Sequence, residues 1–157
     1  MAGSQTPAPG KSADRLGAGS GCATNHQQVR DKYAPRIDGK FEVEPYIAEK
    51  EGRPFAFLQC YLLSESDRES YGYSIEEIHF GIDQFIGKPS LFNNRYGTQM
   101  MMEFVQFIFH DKQADTVTVD PEVSHPRAIR CYEKCGFQRI KEIDGGRKWL
   151  MAISFGQ

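Results

Sequence analysis

The chain of 157 residues has 39% hydrophobic and 12% aromatic residues, which is enough for one domain with a packed core. A formal net charge of −2 and a pI near 6.1 leave no basic surface for nucleic acid. No stretch reaches the roughly 18 apolar residues of a membrane-spanning helix, so we expect neither nucleic acid nor membrane as a partner.

Cysteine usage is typical of a reducing compartment. The four cysteines show neither a dense disulfide framework nor the paired spacing of metal ligands, and the N-terminus lacks the apolar segment of a secretory signal. We therefore predict a cytoplasmic protein without a metal site.

Residues 1–28 are rich in Gly, Ser, Ala and Pro, and Leu16 is their one branched aliphatic residue. Such a segment cannot bury enough apolar area to offset the conformational entropy lost on ordering. We predict a disordered leader over residues 1–28 and a globular domain over residues 29–157.

The first predicted elements are two strands within residues 45–63, joined by a hairpin turn at Lys50–Pro54 that contains Gly52. Residues 64–70 are polar and charged, and we predict a loop there. Ser74–Gln84 alternates between apolar and polar residues, as expected for a strand with one apolar face. Its other face would present four residues to a cleft: Glu77, His79, Gly81 and Asp83.

A buried helix is predicted over residues 97–110, because its apolar residues recur at helical spacing. The β-branched run 116–119 predicts a short strand that ends in a turn at Asp120-Pro121.

The second helix would begin at Pro126, with Ser124 or His125 as its cap, and end at Gly136. A turn at residues 144–146 and a strand over residues 149–155 complete the predicted order β-β-β-α-β-α-β.

Three segments of the chain carry a family resemblance: PYIAEKEGRPFAFLQCY from Pro45, HFGIDQFIGKPSLFNNRYGTQMM from His79, and VTVDPEVSHPRAIRCYEKCGF from Val117. They are similar to the aminoglycoside 6'-N-acetyltransferase branch of the GNAT superfamily, and to acyltransferases of siderophore and lysine biosynthesis. The resemblance implies an α/β (α+β) fold, a GNAT-like central mixed sheet flanked by helices. It also implies acetyl-CoA as co-substrate, held in a cleft between two neighbouring strands. The family normally begins with a strand and one or two helices, of which Val29–Asp38 resembles only the tail.

GNAT enzymes bind the CoA pyrophosphate with a loop of pattern R/Q-x-x-G-x-G/A at a helix N-terminus. The matching string here is FNNRYG, in which Arg95 stands at the first glycine and Phe92 at the Arg or Gln, so we expect weakened CoA binding. The resemblance implies the following cofactor-binding residues: Asn93, Asn94, Arg95, Tyr96, Gly97, Thr98, His125 and Arg127. His125 stands where the branch usually has Asn, and an exposed helix face is the alternative for Arg127.

Acetylating an ammonium requires that its proton first be removed, and a nearby carboxylate can accept it. Asp83 lies on the polar strand face, and the resemblance assigns the base to this residue; the alternative is a carboxylate that caps a strand end. The resemblance also implies that Tyr132 protonates the departing CoA thiolate. The alternative is a core tyrosine whose hydroxyl finds a partner.

A cationic acceptor would be attracted by carboxylates. The resemblance places Asp120 at the acceptor, and Glu77 could join Asp83 on the same strand face. The alternatives are a solvated turn carboxylate for Asp120 and an exposed edge residue for Glu77. Cys131 and Cys135, one helical turn apart, are interpreted as small apolar residues.

These observations predict an acetyl-CoA-dependent N-acetyltransferase acting on a small-molecule amine, the 6'-amino group of an aminoglycoside. Transfer would be direct, without an acyl-enzyme, in a monomer or homodimer. Two alternatives stay open: an acyltransferase for a siderophore- or lysine-type amine, and an inactive GNAT remnant that acts only as a binding module.

Overall fold

The computed structural model describes residues 42–87, 90 and 95–156. The leader predicted over residues 1–28, and the loop residues Asn93 and Asn94, lie outside this range. The described elements are β1 (Glu44–Lys50), β2 (Arg53–Leu62), α1 (Glu65–Tyr71), β3 (His79–Ile86), α2 (Tyr96–Asp111), β4 (Thr116–Val119), α3 (Pro126–Lys134), β5 (Gln138–Ile143) and β6 (Lys148–Ser154).

The six strands form one mixed sheet in the order β1-β2-β3-β4-β6-β5. Strands β3 and β4 pair in parallel, and the other neighbours pair antiparallel. The parallel register extends only from His79↔Thr116 to Gly81↔Thr118, whereas β3 continues to Ile86. The sheet therefore opens between β3 and β4 beyond Gly81, and the resemblance implied a cofactor cleft between two neighbouring strands without saying which.

The predicted hairpin between the first two strands is confirmed. Glu51 and Gly52 both have positive φ angles, 53° and 71°, which is the pattern of a type I′ turn. This turn matches the right-handed twist of the two strands and sets the register between β1 and β2.

Residues 64–70 were predicted as a loop, and that prediction is wrong. Ser64 caps α1 by accepting a hydrogen bond from the Asp67 N–H at 3.1 Å, and Gly72 ends the helix at a φ of 83°. No residue of α1 is buried. The helix therefore has no apolar stripe, and its end signals alone could have revealed it.

The predicted element order omits two elements, α1 and β5. Five of the six residues of β5 are exposed, and the strand exists because it pairs with β6. A second difference concerns β3, which begins at His79 and not at Ser74. Helices α2 and α3 and strands β4 and β6 lie within one residue of the predicted bounds at their starts.

The apolar face of the sheet packs against α2 and α3 in one core cluster. Helix α2 contributes Met101, Val105 and Ile108, and α3 contributes Ile129. The sheet residues of this cluster include Leu58, Cys60, Phe80, Ile82 and Val117.

Of the helices in the described ranges, none is both long and apolar enough to cross a bilayer.

The opposite face of the sheet is buried but polar. Successive strand residues point to opposite faces, and residues that are paired across neighbouring strands point to the same face. The pairs Gln59–Asp83, His79–Thr116 and Gly81–Thr118 therefore all lie on this second face. It carries all five of the buried polar residues found in the described part of the chain: Gln59, His79, Asp83, Thr116 and Thr118. The prediction of a polar face on β3 is thus confirmed from His79 to Asp83.

Candidate active site

Asp83 lies on the polar face of β3, and its side chain is 6% exposed. The cross-strand register places Gln59 of β2 directly opposite, and the Gln59 Nε2 donates a 2.7 Å hydrogen bond to Asp83 Oδ2. Gln59 therefore fixes the orientation of the carboxylate. The sequence did not indicate Gln59, because its role depends on the register between two strands.

Gly81 allows an aromatic ring to lie against the strand beside Asp83. Tyr61 pairs with Gly81 across β2 and β3, and a Cβ at Gly81 would lie 2.5 Å from the Tyr61 ring. Tyr61 therefore borders the polar face at the candidate site. A glycine inside an alternating strand was a sequence signal of such a close approach.

Tyr132 of α3 is buried, and its ring packs against Phe137 at a centroid distance of 5.8 Å. Its hydroxyl accepts a 3.5 Å hydrogen bond from Gln84 Nε2. Burial raises the pKa of Tyr132 well above its usual 10, the Gln84 hydrogen bond opposes this shift, and the negative charges of Cys131, Asp83 and Asp120 raise the pKa further. The hydroxyl therefore stays protonated at neutral pH, as an acid must.

Asp83 and Tyr132 approach the opening between β3 and β4 from opposite sides. Gln84, which contacts Tyr132, points to the other face of β3 from Asp83. Asp83 and Gln84 both follow Gly81, the last residue of β3 that pairs with β4, so β4 does not cover this part of the β3 edge. The negative charges of Asp83 and Asp120 are close enough to raise the pKa of the Tyr132 hydroxyl.

Asp120 follows β4 and forms an ion pair with a lysine of the chain itself. Lys148 Nζ lies 3.1 Å from Asp120 Oδ2, and the two side chains are 18% and 9% exposed. Asp120 is therefore not the solvated turn carboxylate that the sequence left open as an alternative. The sequence did not indicate Lys148, because the pair joins the end of β4 to the start of β6.

Glu77 does not share a strand face with Asp83, so that prediction is wrong. It precedes β3, is 53% exposed, and its Oε2 lies 2.9 Å from His79 Nε2. His79 in turn stacks on the Tyr73 ring at 4.2 Å. Glu77 thus belongs to a cluster at the start of β3, whereas Asp83 lies in the second half of the strand.

Arg95 occupies the N-cap of α2 with φ 62° and ψ −7°, and its side chain makes no capping hydrogen bond. This left-handed conformation favours glycine, which is the residue that the family pattern has at this position. The backbone N–H groups of the first helical turn have no partner inside the helix, so they can bind an anion. Gly97 allows α2 to approach β3 closely, since a Cβ there would lie 3.2 Å from Ile86.

The side chains around this helix start turn away in different directions. Tyr96 contacts the Lys50 ammonium and lies 6.5 Å from the Phe55 ring, both on the β1–β2 side. Thr98 faces α3, where its hydroxyl lies 3.5 Å from Cys131 Sγ. The groups that Tyr96 and Thr98 can offer to a phosphate are therefore mainly their backbone N–H groups.

His125 stands at the N-cap of α3, one of the two cap positions predicted, but its side chain makes no capping hydrogen bond. Its backbone has φ −110° and ψ 69°, and its Nδ1 lies 3.4 Å from Glu122 Oε2. Arg127 is exposed on the first turn of α3. Among residues 42–87, 90 and 95–156, no three side chains form a metal-ligand group.

Residues 12–145 match the model of the acetyltransferase (GNAT) domain. The chain belongs to this family. The GNAT-like fold predicted from the sequence is thereby confirmed.

The chain is similar to named aminoglycoside acetyltransferases in sequence and in structure. The chain is 33% identical over 111 residues to aminoglycoside N(6')-acetyltransferase type 1 of Klebsiella pneumoniae, covering 71% of this chain and 55% of that protein. It is 41% identical over 59 residues to a kanamycin resistance protein of Rhizobium radiobacter, covering 38% of this chain and 55% of that protein. The crystal structure of aminoglycoside acetyltransferase AAC(6')-Ib with coenzyme A and kanamycin superposes with a TM-score of 0.66 at 30% identity, covering 82% and 76% of the two chains. The chain spans about half the length of the curated relatives it matches.

Proposed function

We propose that the protein transfers an acetyl group from acetyl-CoA to a primary amine, the 6'-amino group of an aminoglycoside. The observation that carries this proposal is the placement of a buried carboxylate, Asp83, and a protonated tyrosine, Tyr132, at one opening of the sheet. The names of the relatives, and the coenzyme A and kanamycin bound to AAC(6')-Ib, support the two substrates. A cytoplasmic location and a monomer or homodimer remain part of the proposal.

The two residues would divide the proton transfers between them. Asp83 accepts a proton from the bound ammonium, and the free amine then attacks the thioester carbonyl carbon. A C–N bond forms and the C–S bond breaks, and the nitrogen passes its second proton to solvent, so the acetyl group moves directly without an acyl-enzyme. Tyr132 donates its hydroxyl proton to the departing CoA sulfur, and Gln59 keeps Asp83 in place throughout.

The N-terminus of α2 would receive the CoA pyrophosphate. Its unpaired N–H groups and the positive end of the helix dipole favour phosphate oxygens. This position lies next to Ile86, at the end of β3 that carries Asp83 and Gln84. CoA bound there could extend into the opening between β3 and β4.

Release of CoA thiol from acetyl-CoA tests the function directly. We expect release to be stimulated by an aminoglycoside with a 6'-amine and not by a matched compound with a 6'-hydroxyl. Binding of CoA, measured by calorimetry, without stimulation by any aminoglycoside would exclude this acceptor. Absence of CoA binding would support the remnant alternative.

The ion pair between Asp120 and Lys148 favours a second acceptor class. A polycationic aminoglycoside would have to compete with the Lys148 ammonium for the Asp120 carboxylate. An acceptor with fewer amines, such as the lysine- or siderophore-type amine, would need only the Asp83 region. The same thiol-release assay with monoamines distinguishes this candidate.

Replacing Lys148 with methionine is expected to lower the KM for a polycationic acceptor by about tenfold, which corresponds to about 1.4 kcal/mol. The methionine keeps the apolar stem and removes the charge that occupies Asp120. Steady-state kinetics with acceptors of increasing amine count measures the effect. Arg147→Met is the matched control, since Arg147 is an exposed cation that pairs with Asp144. An unchanged KM in Lys148→Met would show that acceptors do not use Asp120.

Replacing Arg95 with glycine is expected to tighten CoA binding by roughly threefold to tenfold. Glycine adopts the observed φ of 62° without strain and lets phosphate oxygens approach the backbone closely. Calorimetric titration with CoA measures the change. Arg95→Ala is the matched control, because it removes the guanidinium but keeps the Cβ. Weaker binding in both variants would instead assign a phosphate contact to the guanidinium.

A further inference from the structure

Two cysteines of α3 lie against the start of α2, outside the machinery described above. Cys131 Sγ lies 3.5 Å from the Thr98 hydroxyl, and Cys135 Sγ donates to the Thr98 carbonyl oxygen at 3.5 Å. Both thiols are free and half-buried. Cys135 packs against the core cluster, as expected for a small apolar residue, and both sulfurs also contact Thr98.

Cys131 lies in surroundings that favour its thiolate. The neighbouring Cys135 side chain favours the thiolate most, burial opposes it, and the Thr98 hydroxyl and the positive charge of Lys134 add smaller favourable effects. The net effect lowers the pKa of Cys131 to about 6, whereas the neighbouring Cys131 and burial raise the pKa of Cys135 above its usual range. The thiolate is the nucleophilic form of cysteine, so the two thiols differ in reactivity.

We propose that Cys131 and Cys135 form a thiol-modification site for small disulfides, in which Cys131 attacks the disulfide and Cys135 resolves the adduct. The position of both sulfurs on Thr98, at the helix start next to Gly97, is the observation that defines the site.

The reaction runs in two balanced steps. The Cys131 thiolate attacks one sulfur of the small disulfide, the bond between its two sulfurs breaks, and one half leaves as a thiolate. Cys135 then loses its proton to solvent and attacks the Cys131 sulfur, which releases the second half as a thiolate. Two cysteine thiols are oxidised to one disulfide, and the reagent is reduced to two thiols.

The helix geometry allows the second step. Residues four apart in an α-helix rise by about 6 Å, and disulfides join Cα atoms that are about 4.4–6.8 Å apart. Cys135 is also the C-cap residue of α3, and Gly136 follows it with a φ of 98°. The chain therefore leaves the helix at the residue that has to adjust.

Modification would also affect the proposed cofactor site, a consequence that rests on the proposed function. Cys131 Sγ lies 3.9 Å from where a Cβ of Gly97 would be, in the first turn of α2. A group attached to Cys131 would occupy space beside the N–H groups that are assigned to the pyrophosphate. CoA and a disulfide reagent should therefore exclude each other.

The test uses the full chain carrying Cys22→Ser, because Cys22 lies outside the described residues, and the chromogenic disulfide DTNB. We expect a phase at pH 7 at least about tenfold faster than the reaction of buried Cys60. This phase should release two equivalents of the chromophore and leave an internal disulfide without an adduct. Its rate should be half-maximal near the pKa of about 6.

Two serine variants separate the roles. Cys131→Ser should lose the fast phase, and Cys135→Ser should release one equivalent and keep a stable adduct at Cys131, located by peptide mass spectrometry. Labelling the unsubstituted cysteine pair with iodoacetamide gives the same assignment without relying on the folding of either variant. A fast phase that persists in Cys131→Ser, or a stable adduct when both cysteines are present, would overturn the proposal.

Protection by CoA tests the location of the site. Saturating CoA should slow the fast phase at least about tenfold, because both ligands occupy the start of α2. A fast phase that is unprotected while calorimetry shows CoA bound would overturn this location. Absence of CoA binding would count against the proposed function alone, since the fast phase is measured without CoA.

Discussion

Replacing Asp83 with asparagine is expected to lower kcat by about 10²- to 10⁴-fold, the range typical for loss of a general base. Asparagine keeps the size of the side chain and an oxygen that can accept the Gln59 hydrogen bond, which is 2.7 Å long in the native protein. It cannot take the proton of the acceptor ammonium. The loss should therefore appear in the acetyl-transfer rate with little change in CoA affinity.

Steady-state thiol release and calorimetric CoA titration measure both quantities in the same preparation. Asp111→Asn is the matched control, because Asp111 is an exposed carboxylate at the end of α2. Its kcat should stay within about twofold of the native value. If Asp83→Asn turned over at the native rate, the buried carboxylate would be a structural partner of Gln59 and not the base.

Replacing Tyr132 with phenylalanine is expected to lower kcat by about 10²-fold, because the departing thiolate would lose its proton donor. The protein itself should remain folded, since the ring stays packed on Phe137 and the hydroxyl contributes only a 3.5 Å hydrogen bond. Tyr71→Phe, in α1, is the matched control.

The pH profile distinguishes a proton donor from a packing residue. The pKa of Tyr132 is raised above its usual 10, so the required neutral form persists on the alkaline side of neutrality. We therefore expect no loss of kcat from this group between about pH 7 and pH 9.5 in the native enzyme. An alkaline fall that disappears in Tyr132→Phe would contradict the raised pKa, and an unchanged kcat in the variant would exclude the acid role.

The sequence predicted those elements whose side chains are sorted by burial. Helices α2 and α3 carry apolar residues at helical spacing, and the centre of β3 alternates between a core face and a polar face. Helix α1 has no buried residue and β5 is mainly exposed, so neither has an apolar pattern to detect. Such elements are specified by caps and by the neighbouring strand.

The residues of the candidate site also fall into those that the local sequence indicates and those that only the fold reveals. Asp83, Asp120 and Tyr132 could be named from local strings, because each lies inside a segment that resembles the family. Gln59 and Lys148 could not, because their roles arise from contacts 24 and 28 residues away along the chain. The prediction that Glu77 shares a strand face with Asp83 is wrong because the apolar–polar alternation of the sequence continues before His79, where the strand begins.

The opposite placement of Asp83 and Tyr132 about β3 has a consequence for turnover. Each cycle would leave an extra proton on one side of the strand and a tyrosinate on the other, in a place where burial makes the tyrosinate costly. Both groups are almost fully shielded, so neither can recover its starting state while the products fill the opening. Under the proposed mechanism, water must enter the opening when the products leave, so that Asp83 can lose its proton and Tyr132 can regain one. A new cycle could begin only after this exchange.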